Sequence, residues 1–203
     1  MGGFITPPEE YFRIVAEIVR DHGGVFISDE VQTGFGRTGK TWGIDHYDVE
    51  PDMITMAKGI ANGLPLAALI STKEIADSLQ NNTISTFGGN PVSCAAANTT
   101  LDIIERDELA NNAQHMGEKL TDGLASLQRD HQNIIGDVRG KGLMVGVELV
   151  VDETSNDRTP NVVAVDQIME ETKKRGLLIG RGWLYGNTLR IAPALNIVSD
   201  EIK

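Results

Sequence analysis

The sequence predicts an α/β chain in two parts, a mostly parallel sheet covered by helices followed by a smaller α+β unit. Three observations carry this. Short apolar runs at 25–27, 53–56 and 66–70 have the length of buried strands, segments of helical period lie between and after them, and from Pro91 an Ala-rich stretch leads into further strand candidates.

Over residues 9–21, Tyr11, Ile14, Val15, Ile18 and Val19 recur at helical spacing after the breaker pair Pro7-Pro8, and His22-Gly23-Gly24 ends the helix. The strand at 25–27 brings the chain to Asp29-Glu30 at its carboxyl end. Residues 33–50 are glycine-rich with little periodicity and predict a long loop. The strand at 53–56 delivers Lys58 directly, and a strand at 66–70 and a short helix at 73–80 follow. Ala96, Leu101, Ile104, Leu109, Leu120 and Leu124 then predict one long or slightly broken helix to about residue 128. Beyond it, Ile134-Ile135 with Val138, then 143–150, 177–179 and 189–191 are strand candidates, with a helix over 162–174. The polar stretch 152–160 reads as an exposed loop. The expected domains are therefore 1–128, ending with the long linking helix, and 129–203.

With 203 residues, 40% of them hydrophobic and 23% charged, the chain has the material for a sizeable core. No run approaches the ~18 apolar residues of a membrane span, and MGGFITPPEE lacks the regions of a signal peptide. A cytoplasmic setting is the expectation. A net charge of -11 argues against nucleic-acid or anionic-membrane partners, which call for concentrated Lys and Arg. The single cysteine, Cys94, excludes an intramolecular disulfide, and His22, His115 and His131 have no second ligand at metal spacing, so no metal is expected.

In open α/β sheets ligands bind beyond the carboxyl ends of strands, so Asp29 and Lys58 are placed to converge on one pocket. A pyridoxal ring needs that pair: an amine to condense with its aldehyde and a carboxylate to keep its ring nitrogen protonated. Taken singly, an Asp after a strand is more often a turn residue and a Lys a solvated surface charge. Lys58, however, lies between Ile54-Thr55-Met56-Ala57 and the uncharged Gly59-Ile60-Ala61-Asn62-Gly63-Leu64-Pro65, which predicts a desolvated amine that gives up its proton readily.

The run Phe26-Ile27-Ser28-Asp29-Glu30-Val31-Gln32-Thr33-Gly34-Phe35-Gly36-Arg37-Thr38-Gly39, the run 51–59 and the run Thr86-Phe87-Gly88-Gly89-Asn90-Pro91 closely resemble the class III aminotransferases, as do 136–144 and Leu189-Arg190-Ile191-Ala192-Pro193. The resemblance spans essentially the whole chain and is strongest to the alanine-glyoxylate aminotransferase 2 branch. It implies part of a fold-type-I pyridoxal-phosphate transferase: the C-terminal half of a large cofactor-binding domain plus a small C-terminal domain. It also implies that an N-terminal half, with its phosphate-binding loop and ring-stacking aromatic, lies outside this chain, and that Met1 is an internal methionine.

By that resemblance Lys58 forms the Schiff base with pyridoxal 5'-phosphate and shuttles the proton, Asp29 pairs with the ring nitrogen, Val31 packs on the ring and Gln32 reaches its 3-oxygen. Thr86 binds the cofactor phosphate of the neighbouring subunit, which makes the enzyme a homodimer; the plainer alternative is a tight turn before a helix. Arg190 grips a substrate carboxylate, with Arg139 and Arg181 as competitors. Gly34, Gly36 and Gly39 shape a loop and bind no phosphate, and Trp42, His46 and Tyr47 serve packing. The activity implied is amino transfer from an amino acid or amine to a 2-oxo acid such as pyruvate or glyoxylate. The alternatives are a phospho-lyase of the same family and a non-catalytic remnant.

Overall fold

The computed structural model describes residues 2–152, 157–182 and 184–202, so positions 153–156 of the expected exposed loop lie outside the described residues. The chain forms two compact units, Pro7–Asn111 in one and Met1–Thr6 with Asn112–Lys203 in the other.

In the first unit, α1 (Tyr11–Asp21) starts on a hydrogen bond from Tyr11 N–H to the Pro8 carbonyl (3.1 Å) and stops where Gly23 takes φ +72°. Its Phe12, Val15, Ala16 and Val19 pack on Phe26, Ile44, Tyr47 and Val49, whereas Tyr11, Ile14 and Ile18 on the other flank of the apolar stripe stay exposed. Strands β1 (Ile27–Asp29), β2 (Met53–Met56) and β3 (Ala68–Ser71) form one sheet in that order. β1 and β2 are parallel, with Asp29 opposite Thr55, and the Glu30 N–H extends the ladder to the Thr55 carbonyl at 2.9 Å. β3 runs antiparallel to β2, so the sheet is mixed and departs from the mostly parallel one expected. The intervening segment 57–67 has room for a 3-10 turn but not for the covering helix of a parallel crossover. Ile27, Leu69 and Ile70 on this sheet remain about half exposed. Helices α2 (Lys73–Asp77) and α3 (Pro91–Arg106) follow. The expected long helix breaks at Asp107-Glu108, where Glu108 has φ +48°.

The second helix of that pair, α4 (Leu109–Asp130), lies almost wholly in the second unit. The division between the compact units falls at its start, and α4 docks on the sheet that follows it: a Cβ at Gly117 would sit 2.2 Å from the Gly142 carbonyl oxygen. That sheet is ordered β4 (Ile135–Lys141), β5 (Met144–Asp152), β8 (Thr188–Ile191), β7 (Gly180–Gly182), with β6 (Asp157–Pro160) paired to β5. The expected strand at 177–179 forms three residues later, where pairing with β8 begins, and Leu177 and Leu178 are exposed. Helix α5 (Val162–Lys174), capped by the Asn161 side chain on Ala164 N–H (3.0 Å), covers Val147, Leu149 and Leu189 with Ala164 and Val165.

Two carboxylates pin the first unit. Asp52 accepts from the Phe26 N–H (2.8 Å) and from Arg20 Nη2 (3.1 Å), so it joins the end of α1 to both parallel strands; these bonds, that from Phe26 first, lower its pKa below the usual carboxylate value. Glu30 is 1% exposed. Its Oε1 accepts from Ser28 Oγ (3.1 Å) and Ile44 N–H (2.8 Å), and its Oε2 from Thr33 Oγ1 (2.5 Å) and Gly43 N–H (2.8 Å). Those four donors satisfy a buried charge and fold the loop after β1 back onto the strand end.

A lowered folded pKa makes the Asp52 contribution fully present above the unfolded value of about 4 and lost as pH falls through the folded value. Asp52→Asn is therefore expected to lower stability at pH 7 by about 1–2 kcal/mol and to flatten the acid limb below about pH 4, read from urea melts across pH. Glu30→Ala strands two amide N–H groups and two hydroxyls and is expected to cost about 3 kcal/mol or more in the same measurement. A cost below about 0.5 kcal/mol would contradict the clamp.

Candidate active site

Asp29 closes β1 and Lys58 follows the end of β2 by two residues, on strands that are hydrogen-bonded neighbours running in the same direction. Neighbouring strands lie roughly 5 Å apart, so both residues leave the carboxyl edge of the sheet, the edge at which ligands bind in such folds. Both are exposed. Asp29 Oδ1 accepts from the Val31 N–H at 3.1 Å, which ties the carboxylate to the first residues of the loop; Val31 and Gln32 are half-buried there.

Lys58 opens a 3-10 turn over Lys58–Ala61 with φ +47°, a left-handed conformation that costs a lysine on the order of 1 kcal/mol. Its flanks hold it there. Met56 before it and Ile60 and Ala61 after it are buried with Phe35 and Ala97, and the Ile60 N–H reaches the Ala57 carbonyl at 3.1 Å. The apolar flanks thus turn inward and anchor the backbone, and they leave Lys58 itself in solvent. The desolvation expected from the local sequence is absent in this chain, because burial of neighbours on either side does not bury the residue between them on the opposite side of a turn.

Phe35, also left-handed at φ +60°, packs edge-on to Trp42 with ring centroids 5.2 Å apart, and it lies 3.7 Å from the Cβ position of Gly59. The loop from Asp29 and the turn bearing Lys58 therefore share one core. Trp42 packs as expected; His46 Nε2 bonds to the Thr38 carbonyl (3.0 Å), and Tyr47 stacks edge-on to Phe12 at 4.7 Å, burial raising the Tyr47 pKa. Gly36 and Gly39 take φ +84° and +92° and shape the loop.

Thr86 is exposed in a turn closed by Gly88 N–H to the Ser85 carbonyl (3.3 Å). Asn90 then caps α3 on Ser93 N–H at 3.0 Å with Pro91 at its first position, so the turn geometry expected from glycine and proline is present. Next to Thr86, Phe87 is 80% exposed.

Arg190 belongs to the second unit. Of the three arginines weighed for carboxylate binding, Arg139 is held by Asp137 (2.8 Å) and Glu148 (2.5 Å), and Arg181 by Asp166 (2.7 Å) on the surface. Arg190 lies over the Phe4 ring, its Cζ 4.5 Å from the centroid. Phe4, Phe35 and the Glu30 clamp were missed by sequence reasoning. The one available signal was the glycine doublet of β7, since glycine inside a strand marks a close approach.

Among the described residues no group of three or more His, Cys, Asp or Glu gathers to hold a metal, and no helix is long and apolar enough to cross a membrane. The family profile "Aminotransferase class-III" matches residues 1–203. Human mitochondrial alanine–glyoxylate aminotransferase 2 is 46% identical over 205 residues, covering 100% of this chain and 40% of the relative. Ethanolamine-phosphate phospho-lyase homolog 1 of Caenorhabditis elegans is 44% identical, covering 96% of this chain and 42% of the relative. The crystal structure of a Bacillus anthracis aminotransferase superposes with a TM-score of 0.92 at 42% identity, over 98% of this chain and 47% of that one. The chain thus spans less than half the length of the relatives it matches, and by sequence and by fold alike it belongs to the class III aminotransferases, a pyridoxal-phosphate-dependent family.

Proposed function

We propose that this chain forms the lysine-bearing part of a pyridoxal-phosphate-dependent transaminase that moves an amino group from an amino acid or amine to a 2-oxo acid such as pyruvate or glyoxylate. The observation that carries the reading is the pair of exposed groups, a carboxylate at Asp29 and a primary amine at Lys58, issuing from one edge of adjacent parallel strands. Such a donor set fits the cofactor, whose ring nitrogen takes a carboxylate partner and whose aldehyde takes an amine.

Bound pyridoxal phosphate supplies an electron sink for negative charge at the substrate's α-carbon. Lys58 Nζ is the amine that would hold the cofactor, and as a free amine it would accept and return a proton at the substrate's α-carbon. Its anchored, left-handed backbone limits how far the amine wanders. Asp29 keeps a proton on the ring nitrogen, Val31 packs against the ring, and Gln32 donates to its 3-oxygen. Thr86 donates to the phosphate bound by the neighbouring subunit of a homodimer, and the exposed Phe87 beside it suits a surface that a second copy covers. Arg190 receives the substrate carboxylate through its planar fork of donors. The compartment proposed from the sequence is the cytoplasm, although the human relative is named mitochondrial.

A second reading, release of phosphate from a phosphorylated amine, draws support from the phospho-lyase relative at 44% identity. Phosphoethanolamine supplied without any 2-oxo acid separates the two: a lyase liberates phosphate, and a transaminase does not.

Incubation with pyridoxal phosphate, borohydride reduction and peptide mass spectrometry is expected to place the label on Lys58. Lys58→Ala is expected to lose the label and at least about 10²-fold in turnover, the share of a positioned general base alone. A label elsewhere, or none on Lys58, contradicts the proposal and favours a non-catalytic remnant.

A further inference from the structure

Asn62-Gly63 is the sole Asn-Gly pair in the sequence, and it closes the turn that carries Lys58. Each residue stands where the backbone calls for it. Asn62 ends the 3-10 turn Lys58–Ala61 in the left-handed region, at φ +44° and ψ +45°, a conformation that asparagine tolerates better than most side chains. Its N–H donates to the Gly59 carbonyl at 3.3 Å. Gly63 follows at φ +114°, which favours glycine, and the Leu64 N–H donates to the Ala61 carbonyl at 3.1 Å to close the exit of the turn. Residues 62–64 are all exposed, and beyond its chain neighbours no heavy atom lies within 4 Å of a Cβ placed on Gly63. Among the described residues no hydrogen bond engages the Asn62 side chain or the Gly63 N–H.

We propose that Asn62 is a site of spontaneous covalent modification, deamidation to isoaspartate and aspartate, built into the Lys58 turn by the turn's own backbone requirements. The Gly63 backbone nitrogen attacks Cγ of Asn62. The N–Cγ bond forms, the Cγ–Nδ2 bond breaks, and the proton of the attacking nitrogen leaves with the amide group as ammonia. Water then opens the cyclic imide at either carbonyl, giving aspartate or, with the chain rerouted through Cγ, isoaspartate. Water is the sole co-reactant and no electron is transferred. A side chain at position 63 would crowd the attacking nitrogen, and a hydrogen-bonded N–H would first have to be released; Gly63 presents neither obstacle. By contrast, Asp122-Gly123, a pair able to cyclise in the same way, lies inside α4, where helical bonding holds the glycine N–H. Ring closure at Asn62 requires rotation about its ψ, and an exposed exit closed by one bond opens readily. The two products act differently on the turn. Aspartate keeps the backbone as it is, whereas isoaspartate lengthens it between residues 62 and 63, so the left-handed cap and the Leu64 bond are no longer compatible. The modification needs no cofactor and stands whether or not Lys58 takes pyridoxal phosphate.

The test ages the unaltered chain in warm, mildly alkaline buffer made with heavy-oxygen water, with and without urea, and follows the peptide containing residue 62 by mass spectrometry. The expected product has exchanged amide for acid at Asn62, carries one solvent oxygen, and holds more isoaspartate than aspartate. The folded chain is expected to react within about tenfold of the rate in urea, a protection below ~1.4 kcal/mol. A larger slowing, no reaction, or a product free of isoaspartate overturns the proposal. Hydrogen exchange then reads the effect on the turn. In the isoaspartyl chain the Leu64 N–H is expected to exchange as fast as in an unstructured peptide, whereas in Asn62→Asp, which has the charge without the lengthened backbone, its protection is expected to persist. Leu64 protection that survives in the isoaspartyl chain overturns the claim that the modification opens the turn. The central measurement is made on the unaltered chain, so it stands even if Asn62→Asp fails to fold.

Discussion

The parallel hydrogen bonding of β1 to β2, with Asp29 opposite Thr55 and Glu30 N–H bonded to the Thr55 carbonyl, is the constraint on which the candidate site depends. It brings the ends of two short strands to one edge, although Asp29 and Lys58 lie far apart in sequence. A slip of one residue would exchange the faces of every side chain on β1 and would bury Asp29 where Glu30 now sits. The ladder is fixed at its other end by Asp52, whose carboxylate joins Phe26 N–H and Arg20. A strand three residues long has little intrinsic register preference, so these end contacts supply it.

Adjacent acids then do opposite things. Asp29 stays exposed at the sheet edge, and Glu30 is buried, with its charge met by four donors. The buried carboxylate replaces what a covering helix does in most parallel connections: it gives the crossover a fixed path. Along that path Phe35 enters the core beneath the turn that carries Lys58. Loop and turn are therefore mechanically one body, and strain at Lys58 is held by buried apolar residues on either side of it. In the second unit an ion-paired arginine, Arg139, secures the segment whose Phe4 supports another, Arg190.

Much of this was legible in the residues. Helix α5 forms over 162–174 as the periodicity implies, β2 occupies 53–56, and Asn90-Pro91 starts a helix for the reason that capping chemistry gives. The antiparallel return of β3 and the late start of β7 were not legible, because each is decided by connection length or by strand pairing and not by local propensity; a broken helix was among the readings, and the left-handed Glu108 sets where the break falls. At the site, the motif residues identify themselves by resemblance to the family. The exposure of Lys58 does not follow from its apolar neighbours, since a turn can send neighbours and centre to opposite sides. Glu30 escaped notice because its partners at Gly43 and Ile44 are backbone amides, which carry no sequence signature.

The most direct measurement of the central claim is the proximity of positions 29 and 58 in solution. In a chain with Cys94→Ser, Asp29→Cys and Lys58→Cys together, a short bifunctional thiol reagent should bridge the two cysteines within one molecule, seen as a single intramolecular adduct by mass spectrometry. Independent single adducts at both positions in a folded chain, with no bridge, would place the two side chains on different faces and would contradict the account.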